Sequence, residues 1–235
     1  MLSALLENKT RKNLIMKYFI ATFSLVTLLL SQQAHADLFY AIASVTSDTA
    51  ANDFFPAANL VEGAGVGFDA AAPHDRTSTL TWVTAAPNGG NGDYFGPTPT
   101  PGPRLVFDLG KTVPLQEISV WGYADTNGNG ANQFSLRFAS AADGPTGFGT
   151  SISFNPTYNP IQAQTPRQRF DFGQFVNARY VELTPEDNFF GIAPPGGDRV
   201  GLGEVAFMIP EPSAGGLMLL GFALLGGLRK LNPRK

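Results

Sequence analysis

Apolar residues in the middle of the chain recur in short segments, mostly alternating with polar residues, and glycine and proline are frequent between these segments. Alternation with a period of two is typical of β-strands that have one buried face, whereas amphipathic helices repeat every three to four residues. We therefore predict an all-β domain. The predicted strands are 39–45, 79–84, 104–109, 116–123, 133–139, 150–154, 168–172, 179–184 and 200–208.

The segment 133–139 shows which residues of a strand should face the core. Phe134, Leu136 and Phe138 alternate with Ser135 and Arg137, which predicts one buried and one hydrated face. The spacing of the strands and their turn-rich connections fit a jelly-roll sandwich of two antiparallel sheets better than alternating strands and helices. A chain of this length can bury a stable core without disulfides, and the sequence contains no cysteine.

The N-terminal segment differs in character from this middle region. Basic residues precede the apolar run 18–30, and Ala34 and Ala36 follow it at the positions that signal peptidase recognises. The run is too short to span a bilayer comfortably. We interpret residues 1–36 as a secretory signal helix that is cut after Ala36, with Met16 as an alternative translation start.

The C-terminal segment 210–235 combines a Pro-Glu-Pro triplet, the apolar run 214–228 and a basic tail. As a helix, 214–228 would reach about 22 Å, less than the roughly 30 Å of a hydrocarbon core. Two prolines before it and five glycines within it argue against a buried helix of the domain. We therefore predict a short single transmembrane helix. The positions that define the segment are Pro210, Glu211, Pro212, Arg229 and Lys230.

This C-terminal arrangement strongly resembles the PEP-CTERM sorting signal of Gram-negative bacteria. The resemblance implies that the protein is held briefly in the inner membrane. An exosortase would then cleave near the triplet during transfer to the cell surface or the extracellular matrix. The sequence thus predicts three parts: a signal peptide (1–36), a β-sandwich module (37–209) and a sorting segment (210–235).

The charge of the module excludes one class of partner. Residues 37–209 carry eight basic and seventeen acidic residues, a net charge of −9. Nucleic-acid binding is therefore not expected, because contacts to phosphates need a positive face. The excess of carboxylates instead leaves oxygen ligands available for a hard cation such as calcium.

The module also resembles a known family in the order of its segments. These are ASVTSDTAANDFFPAANLVEG, STLTW, PRLVFDLG, LQEISVWGY, FSLRFAS, ARYVELTPEDN and GGDRVGLGEVAF. Together they resemble the discoidin or coagulation-factor C-type domain, of the galactose-binding-domain-like fold. The resemblance implies an eight-stranded jelly roll that binds sugars, lipids or proteins through loops at one end, in many members with a structural calcium ion.

Two glutamates are the calcium ligands that this resemblance implies. Glu62 stands where the family usually has aspartate, and Glu204 stands at a carboxylate of the last strand. An alternative for Glu204 is a salt bridge to Arg199 or Arg179. The segment 125–130 matches only the first half of an EF-hand loop, and we interpret it as a hairpin connection.

Ligand binding is expected at the end loops, because aromatic faces stack on sugar rings while amide and carboxylate oxygens accept hydrogen bonds from hydroxyls. For Trp121 and Tyr123 we expect core packing instead. We predict a non-catalytic, exported protein of the surface or matrix that binds exopolysaccharide. The candidate ligand residues are Tyr94, Phe95, Asp125, Asn127, Phe189 and Phe190.

Two other functions remain open at this stage. The first is a purely structural matrix protein that binds no specific ligand. The second is a polysaccharide hydrolase, for which His74 and Asp75 would supply a base and Glu182, Glu186 and Asp187 the carboxylates. A catalytic motif does not accompany these residues, and we expect the protein not to be an enzyme.

Overall fold

The computed structural model describes residues 39–49, 55–61, 81–87, 92–96, 102–123, 128–161, 167–193 and 195–209. The chain divides into two compact units, Met1–Ala36 and Asp37–Lys235, and the described residues all belong to the second. They form a short 3-10 helix, Ala57–Val61, and eight strands. The strands are β1 (Ser44–Ser47), β2 (Trp82–Val83), β3 (Leu105–Trp121), β4 (Ala131–Ala139), β5 (Thr157–Tyr158), β6 (Gln168–Asn188), β7 (Gly201–Leu202) and β8 (Glu204–Phe207).

The prediction of an all-β module is confirmed, and its ladders are antiparallel. One sheet has the strand order β1-β3-β6-β4-β5, with β8 paired to β3, and a second sheet contains β2 and β7. The helices predicted for 1–36 and 214–228 lie outside the described residues. Within the described ranges, the structure has no helix of the length and apolarity that a membrane crossing requires.

The two long strands β3 and β6 form an antiparallel ribbon that folds over on itself. Phe207 of β8 lies opposite Ile118 in the ladder with β3, yet its ring is 5.6 Å from that of Phe107, near the start of β3. A straight strand would separate Phe107 from Ile118 by roughly 36 Å. The ribbon therefore contributes to two layers that face each other, and we call them the large layer and the small layer.

The large layer contains β1, residues 105–108 of β3, residues 180–188 of β6, β4 and β5, and the small layer contains β8 with the remaining ends of β3 and β6. Aromatic rings fill the space between them. Phe138 of β4 packs edge-on against Phe172 at 5.3 Å, and Phe134 packs against Phe170 at 5.5 Å. The core is thus built by side chains that alternate along each strand, as predicted for 133–139.

The same local motif marks the bend in both long strands. The sequence Phe-Asp-x-Gly occurs at 107–110 and again at 170–173. In each copy the glycine has a positive φ, +74° at Gly110 and +69° at Gly173. The aspartate two residues earlier accepts a hydrogen bond from the glycine amide, at 2.7 Å for Asp108 and 2.5 Å for Asp171. Each strand therefore contains an Asx-type turn with a left-handed glycine.

Several predicted strand boundaries are wrong. Segments 104–109 and 116–123 belong to one strand, and so do 168–172 and 179–184, since both long strands continue through their bends with register shifts. Residues 150–154 do not form a strand, and the short strand β5 begins at Thr157. Strand β1 begins at Ser44 rather than at Phe39, which forms an isolated bridge with Met208.

The first and last described residues of the module lie side by side. Phe39 and Met208 form an antiparallel bridge, and the Tyr40 amide donates a hydrogen bond to the carbonyl oxygen of Phe207 at 2.9 Å. The Phe39 ring also lies beneath the guanidinium of Arg167, 4.9 Å from its centroid, and packs on Trp121. Both ends of the sandwich are therefore tied to the small layer.

Candidate ligand-binding loops

Three loops meet at one end of the sandwich, which we call the loop end: 92–96, 128–130 and, without residue 194, 189–200. Their backbones are bonded to each other directly. The Tyr94 amide donates to the carbonyl oxygen of Gly197 at 2.7 Å, and the Gly128 amide donates to that of Pro195 at 2.9 Å. The loop end is therefore a connected framework rather than a set of independent turns.

Asn188, at the end of β6, organises this framework. Its side-chain amide donates to the carbonyl oxygens of Gly197 at 2.7 Å and Arg199 at 2.8 Å, and its Oδ1 accepts from the Phe190 amide at 3.1 Å. The residue is buried, so these bonds replace the water that it loses. Asn188 was not among the residues that the sequence indicated as candidates, although an asparagine at the end of an apolar strand is a common turn signal.

Close packing at Gly197 fixes the position of the exposed aromatic residue of the loop end. Gly197 has a φ of +104°, and a Cβ at this position would lie 2.5 Å from Cδ2 of Phe190. Its amide donates to Oδ1 of Asn129 at 2.6 Å. Because a side chain at residue 197 would force the two segments apart, glycine is needed here for Phe190 to keep its place.

The four described aromatic candidates differ in exposure. Phe190 is exposed, with 45% of its surface accessible, whereas Tyr94 and Phe189 are buried, which corrects the expectation that all of them face solvent. The Tyr94 ring belongs to the main core cluster and meets the half-buried Phe95 edge-on at 4.9 Å. Asp125 and Asn127 lie outside the described residues. Their roles as ligand residues stay predictions.

Burial also affects the chemistry of Tyr94. Desolvation raises the pKa of its hydroxyl, and a hydrogen bond with Thr84 offsets this only in part. The hydroxyl therefore stays protonated at physiological pH. The Tyr94 ring thus packs in the core next to the loop end, whereas the Phe190 ring is exposed to solvent.

The described structure includes only one of the two predicted calcium ligands. Glu204 is buried on β8, opposite Trp121 in the ladder, and Glu62 lies outside the described residues. Within the described ranges, the structure shows no group of three or more His, Cys, Asp or Glu residues that could hold a metal ion. Arg179 and Arg199, the alternative partners of Glu204, pair with Asp108 at 2.9 Å and Asp198 at 3.6 Å.

The carboxylates considered for hydrolysis lie in different surroundings. Glu182 is buried on the large layer and pairs with Arg137, whereas Glu186 is exposed. Four residues of extended strand span about 13 Å, more than the roughly 6.5–9.5 Å between the carboxyl groups of an inverting glycosidase. His74 and Asp75 lie outside the described residues. The described structure thus does not place Glu182 and Glu186 at the separation of such a pair.

Neither a protein family nor a curated protein sequence matches this chain. Solved structures with a similar chain path include a chitosan-binding module of a chitosanase/glucanase from Paenibacillus sp. IK-5, with 14% identity, coverage of 74% of this chain and 99% of that chain, and a TM-score of 0.46. The family 32 carbohydrate-binding module of Clostridium perfringens NanJ in complex with galactose shows 11% identity, coverage of 71% and 93%, and a TM-score of 0.45. A Streptococcus pneumoniae fucose-binding module shows 15% identity, coverage of 75% and 99%, and a TM-score of 0.45. At this level of identity and superposition, neither a family nor a ligand of this chain follows from the similarity.

Proposed function

We propose that the module is a non-catalytic carbohydrate-binding protein of the cell surface or extracellular matrix, which binds exopolysaccharide at the loop end. The observation that carries this proposal is the exposed ring of Phe190, held on a framework of buried hydrogen bonds. Binding residues are often carried by loops that a rigid scaffold positions. An aromatic face of this kind stacks on the apolar face of a sugar ring.

The surroundings of Phe190 supply polar groups for such a ligand. Gly197 packs directly against the Phe190 ring, and the next two residues are Asp198 and Arg199, which form an ion pair at 3.6 Å. A carboxylate and a guanidinium accept from and donate to vicinal hydroxyl groups. Because the loops are already bonded to each other, few additional groups would become ordered when a ligand binds. Less of the interaction free energy would then be lost to ordering of the loops.

Export of the module is the second part of the proposal. It rests on the signal peptide 1–36 and on the resemblance of 210–235 to a PEP-CTERM segment, so signal peptidase and an exosortase would process the chain and the inner membrane would hold it transiently. Mass spectrometry of the protein from the cell surface and the medium tests this. We expect an N-terminus at Asp37 and a C-terminus near the Pro-Glu-Pro triplet, and recovery of the intact tail would contradict the processing.

A structural calcium ion, held by Glu62 and Glu204, remains part of the proposal. An ion that binds only the folded state must raise the free energy of unfolding. We therefore expect a chelator to lower the melting temperature and added calcium to restore it. An unchanged melting temperature would count against the metal.

Binding at the loop end is tested by comparing two exposed phenylalanines. Phe190→Ala should weaken binding to the polysaccharide or glycan that the wild-type protein selects on an array by about two- to tenfold, since ring stacking contributes roughly 0.5–1.5 kcal/mol. Phe175→Ala is the matched control, because Phe175 is 63% exposed but lies 13 positions before Asn188 on β6. Calorimetric titration measures both affinities.

Three outcomes of this experiment are informative. Loss of affinity in Phe190→Ala alone supports the loop end as the site. Equal affinities of the two variants would overturn it. Failure of the wild-type protein to bind any glycan would instead favour the purely structural matrix protein.

A further inference from the structure

The outer face of the large layer carries a row of four side chains on four neighbouring strands. Thr46 of β1 lies opposite Val106 of β3, Val106 lies opposite Glu182 of β6, and Glu182 lies opposite Arg137 of β4. Directly opposed residues of an antiparallel sheet point to the same face. The row therefore faces away from the core, which is filled by their chain neighbours such as Phe107 and Leu183.

Glu182 has an unusual position for an outward-facing residue. Its side chain is 2% exposed, and Arg137 reaches one of its oxygens, Oε1, from Nε at 2.7 Å and from Nη2 at 2.6 Å. Among the described residues, the other oxygen, Oε2, has no hydrogen-bond partner. A buried carboxylate oxygen that lacks a donor is costly and uncommon in folded proteins.

A pocket of about 290 Å³ opens beside this carboxylate. The volume is close to the lower end of the range of roughly 300–1,000 Å³ for small-molecule sites. Besides the row of four residues, its walls include Asp48 and Arg104 on one side and the segment 145–148 on the other. The pocket therefore has a sheet as its floor and separate elements as its walls.

Hydrogen bonds hold the wall formed by the segment 140–151. Asp143 accepts bonds from the Ser140 amide at 3.1 Å, the Ser140 hydroxyl at 2.6 Å and the Ser151 hydroxyl. These bonds lower the pKa of the Asp143 carboxyl, so it remains ionised and keeps its partners at neutral pH. The Gly149 amide donates to the carbonyl oxygen of Phe138 on β4, which ties the wall to the sheet.

The groups that line the pocket indicate the class of ligand. Two ion pairs, Arg137 with Glu182 and Arg104 with Asp48, leave its lining without net charge. Phe148 adds an aromatic ring, 5.8 Å from the guanidinium carbon of Arg137. A neutral ring that bears hydroxyl groups suits this lining, because its hydroxyls can bond to the half-exposed guanidinium of Arg137 and to the Glu182 carboxylate while an apolar face packs on Phe148.

We propose that this pocket is a second binding site, separate from the loop end, which holds one neutral hydroxylated sugar ring through Glu182, Arg137 and Phe148. Glu182 lies six positions before Asn188 on β6, about 20 Å along an extended strand. The two sites could therefore be occupied at the same time, and a polysaccharide bound at both would gain from the linkage between them.

The Nε–H group of Arg137 is a direct probe of this site, because it bonds to Glu182. Its resonance is followed by NMR in the purified full-length protein with ¹⁵N-labelled arginine, and is assigned by its loss in Arg137→Lys. Glucose, galactose and N-acetylglucosamine are titrated to about 50 mM, since one ring is expected to bind with a Kd on the order of 1–10 mM. We expect at least one of them to shift the resonance to saturation.

Charged analogues test the ligand class. Glucuronate and glucosamine differ from glucose by a negative and a positive charge, and we expect both to bind more weakly than the neutral sugar. Stronger binding of either analogue would overturn the assignment to a neutral ring. Absence of any shift with all three neutral sugars would overturn the site itself.

Two exposed positions on β1 provide a matched pair of variants. Thr46→Arg places a long side chain in the pocket without removing an internal contact and should abolish the shift. Ser44→Arg lies two residues earlier on the same face, outside the pocket lining, and should leave it unchanged. A shift that survives in Thr46→Arg, or that is lost equally in both variants, would overturn the proposal.

Phe190→Ala separates this site from the loop end. We expect the Arg137 resonance to respond to sugar in Phe190→Ala as it does in the wild-type protein, even if glycan-array binding is lost. Loss of the response in Phe190→Ala would show that the shift originates at the loop end, and would overturn an independent site on the sheet.

Discussion

Each of the two layers buries a glutamate on its outer face, and the two carboxylates differ in their hydrogen-bond partners. Glu117, on the small layer, has both oxygens bonded: Arg169 Nε donates to Oε2 at 2.9 Å and to Oε1 at 3.0 Å, and Arg167 Nη2 donates to Oε1 at 3.2 Å. The Ser119 hydroxyl adds a bond to Oε1 at 3.3 Å. Glu182, on the large layer, has one arginine partner and one oxygen that lacks a hydrogen-bond partner among the described residues, and it lines a pocket.

This difference separates a structural role from a binding role. A buried carboxylate whose bonds are saturated ties neighbouring strands together and leaves no acceptor for a ligand. A buried carboxylate with one unpaired oxygen lowers the stability of the protein until a donor reaches that oxygen. Such an oxygen is typical of a site where a ligand supplies the missing donor. The following variants test whether the two glutamates differ in this way.

The largest effect is expected for Glu117→Gln. Arg167 is 8% exposed in the pair with Glu117, so the substitution leaves a buried guanidinium without its carboxylate. Breaking a buried ion pair in this way costs about 3–5 kcal/mol of the free energy of unfolding. Urea unfolding measures the change. A loss below about 1 kcal/mol would show that the network does not stabilise the small layer.

A matched pair of arginine variants should give the next largest difference. Arg137 and Arg169 are similarly exposed, at 44% and 52%. Arg137→Gln removes the arginine that pairs with Glu182 and should cost about 2–3 kcal/mol, whereas Arg169→Gln leaves Glu117 with Arg167 and should cost less than about 1 kcal/mol. Equal losses in urea unfolding would contradict the distinction between the two carboxylates.

Glu182→Gln is expected to cost less than Glu117→Gln. The substitution removes a charge from a site where one oxygen is already unpaired, and water can hydrate the half-exposed Arg137. We expect a loss of about 1–2 kcal/mol in urea unfolding. A loss as large as that of Glu117→Gln would show that Glu182 is also chiefly structural.

The smallest effect is expected at a third outer-face pair, Asp108 with Arg179. The hydrogen bond from Arg179 lowers the pKa of the Asp108 carboxyl from its ordinary value of 3.8. A carboxylate with a lowered pKa in the folded state stabilises the protein above its unfolded pKa, and that contribution disappears as the pH falls through the lowered value. The melting temperature should therefore fall less steeply below pH 4 in Asp108→Asn. An unchanged acid profile would contradict this role.

Much of the fold is encoded in local alternation, because core-facing residues repeat every second position. The segment 133–139 shows this, and Ile118 and Val120 likewise enter the main core while Trp121 packs with Phe39 on the other face of the small layer. Residues 150–154 also alternate in burial without pairing into a strand. The alternation at 150–154 arises because every second side chain packs against the core. A sequence pattern alone does not show whether such a segment also pairs with a neighbouring strand.

The continuation of β3 and β6 through their bends could not be predicted locally. The sequence around Gly110 and Gly173 has the composition of a turn, and turns usually end strands. Here the two bends lie in the same ribbon, so each strand keeps its partner across the turn. That outcome depends on the pairing of residues that lie between 48 (Val120 with Gln168) and 78 (Leu105 with Leu183) positions apart in the sequence.

The sheet pocket is likewise beyond local prediction. Glu182, with Glu186 and Asp187 nearby, has the composition of a solvated acidic cluster near a turn. Its burial comes from Arg137 and from the wall at 145–148, which are more than 30 positions away in the sequence. The loops of the loop end were easier to locate, because glycine, proline and asparagine are local signals for turns, but their sequence did not show that Tyr94 and Phe189 are buried whereas Phe190 is exposed.

The pairing of Phe39 with Met208 has a consequence for how this module can be built into larger assemblies. A domain whose two ends emerge together can be inserted into a loop of another protein, or duplicated in series, with little distortion of its host. Strand β8 runs from the side of the loop end towards Met208, so a neighbour attached through the paired ends would sit away from the loops. The module is therefore suited to serve as an interchangeable terminal or internal unit whose recognition surface stays accessible.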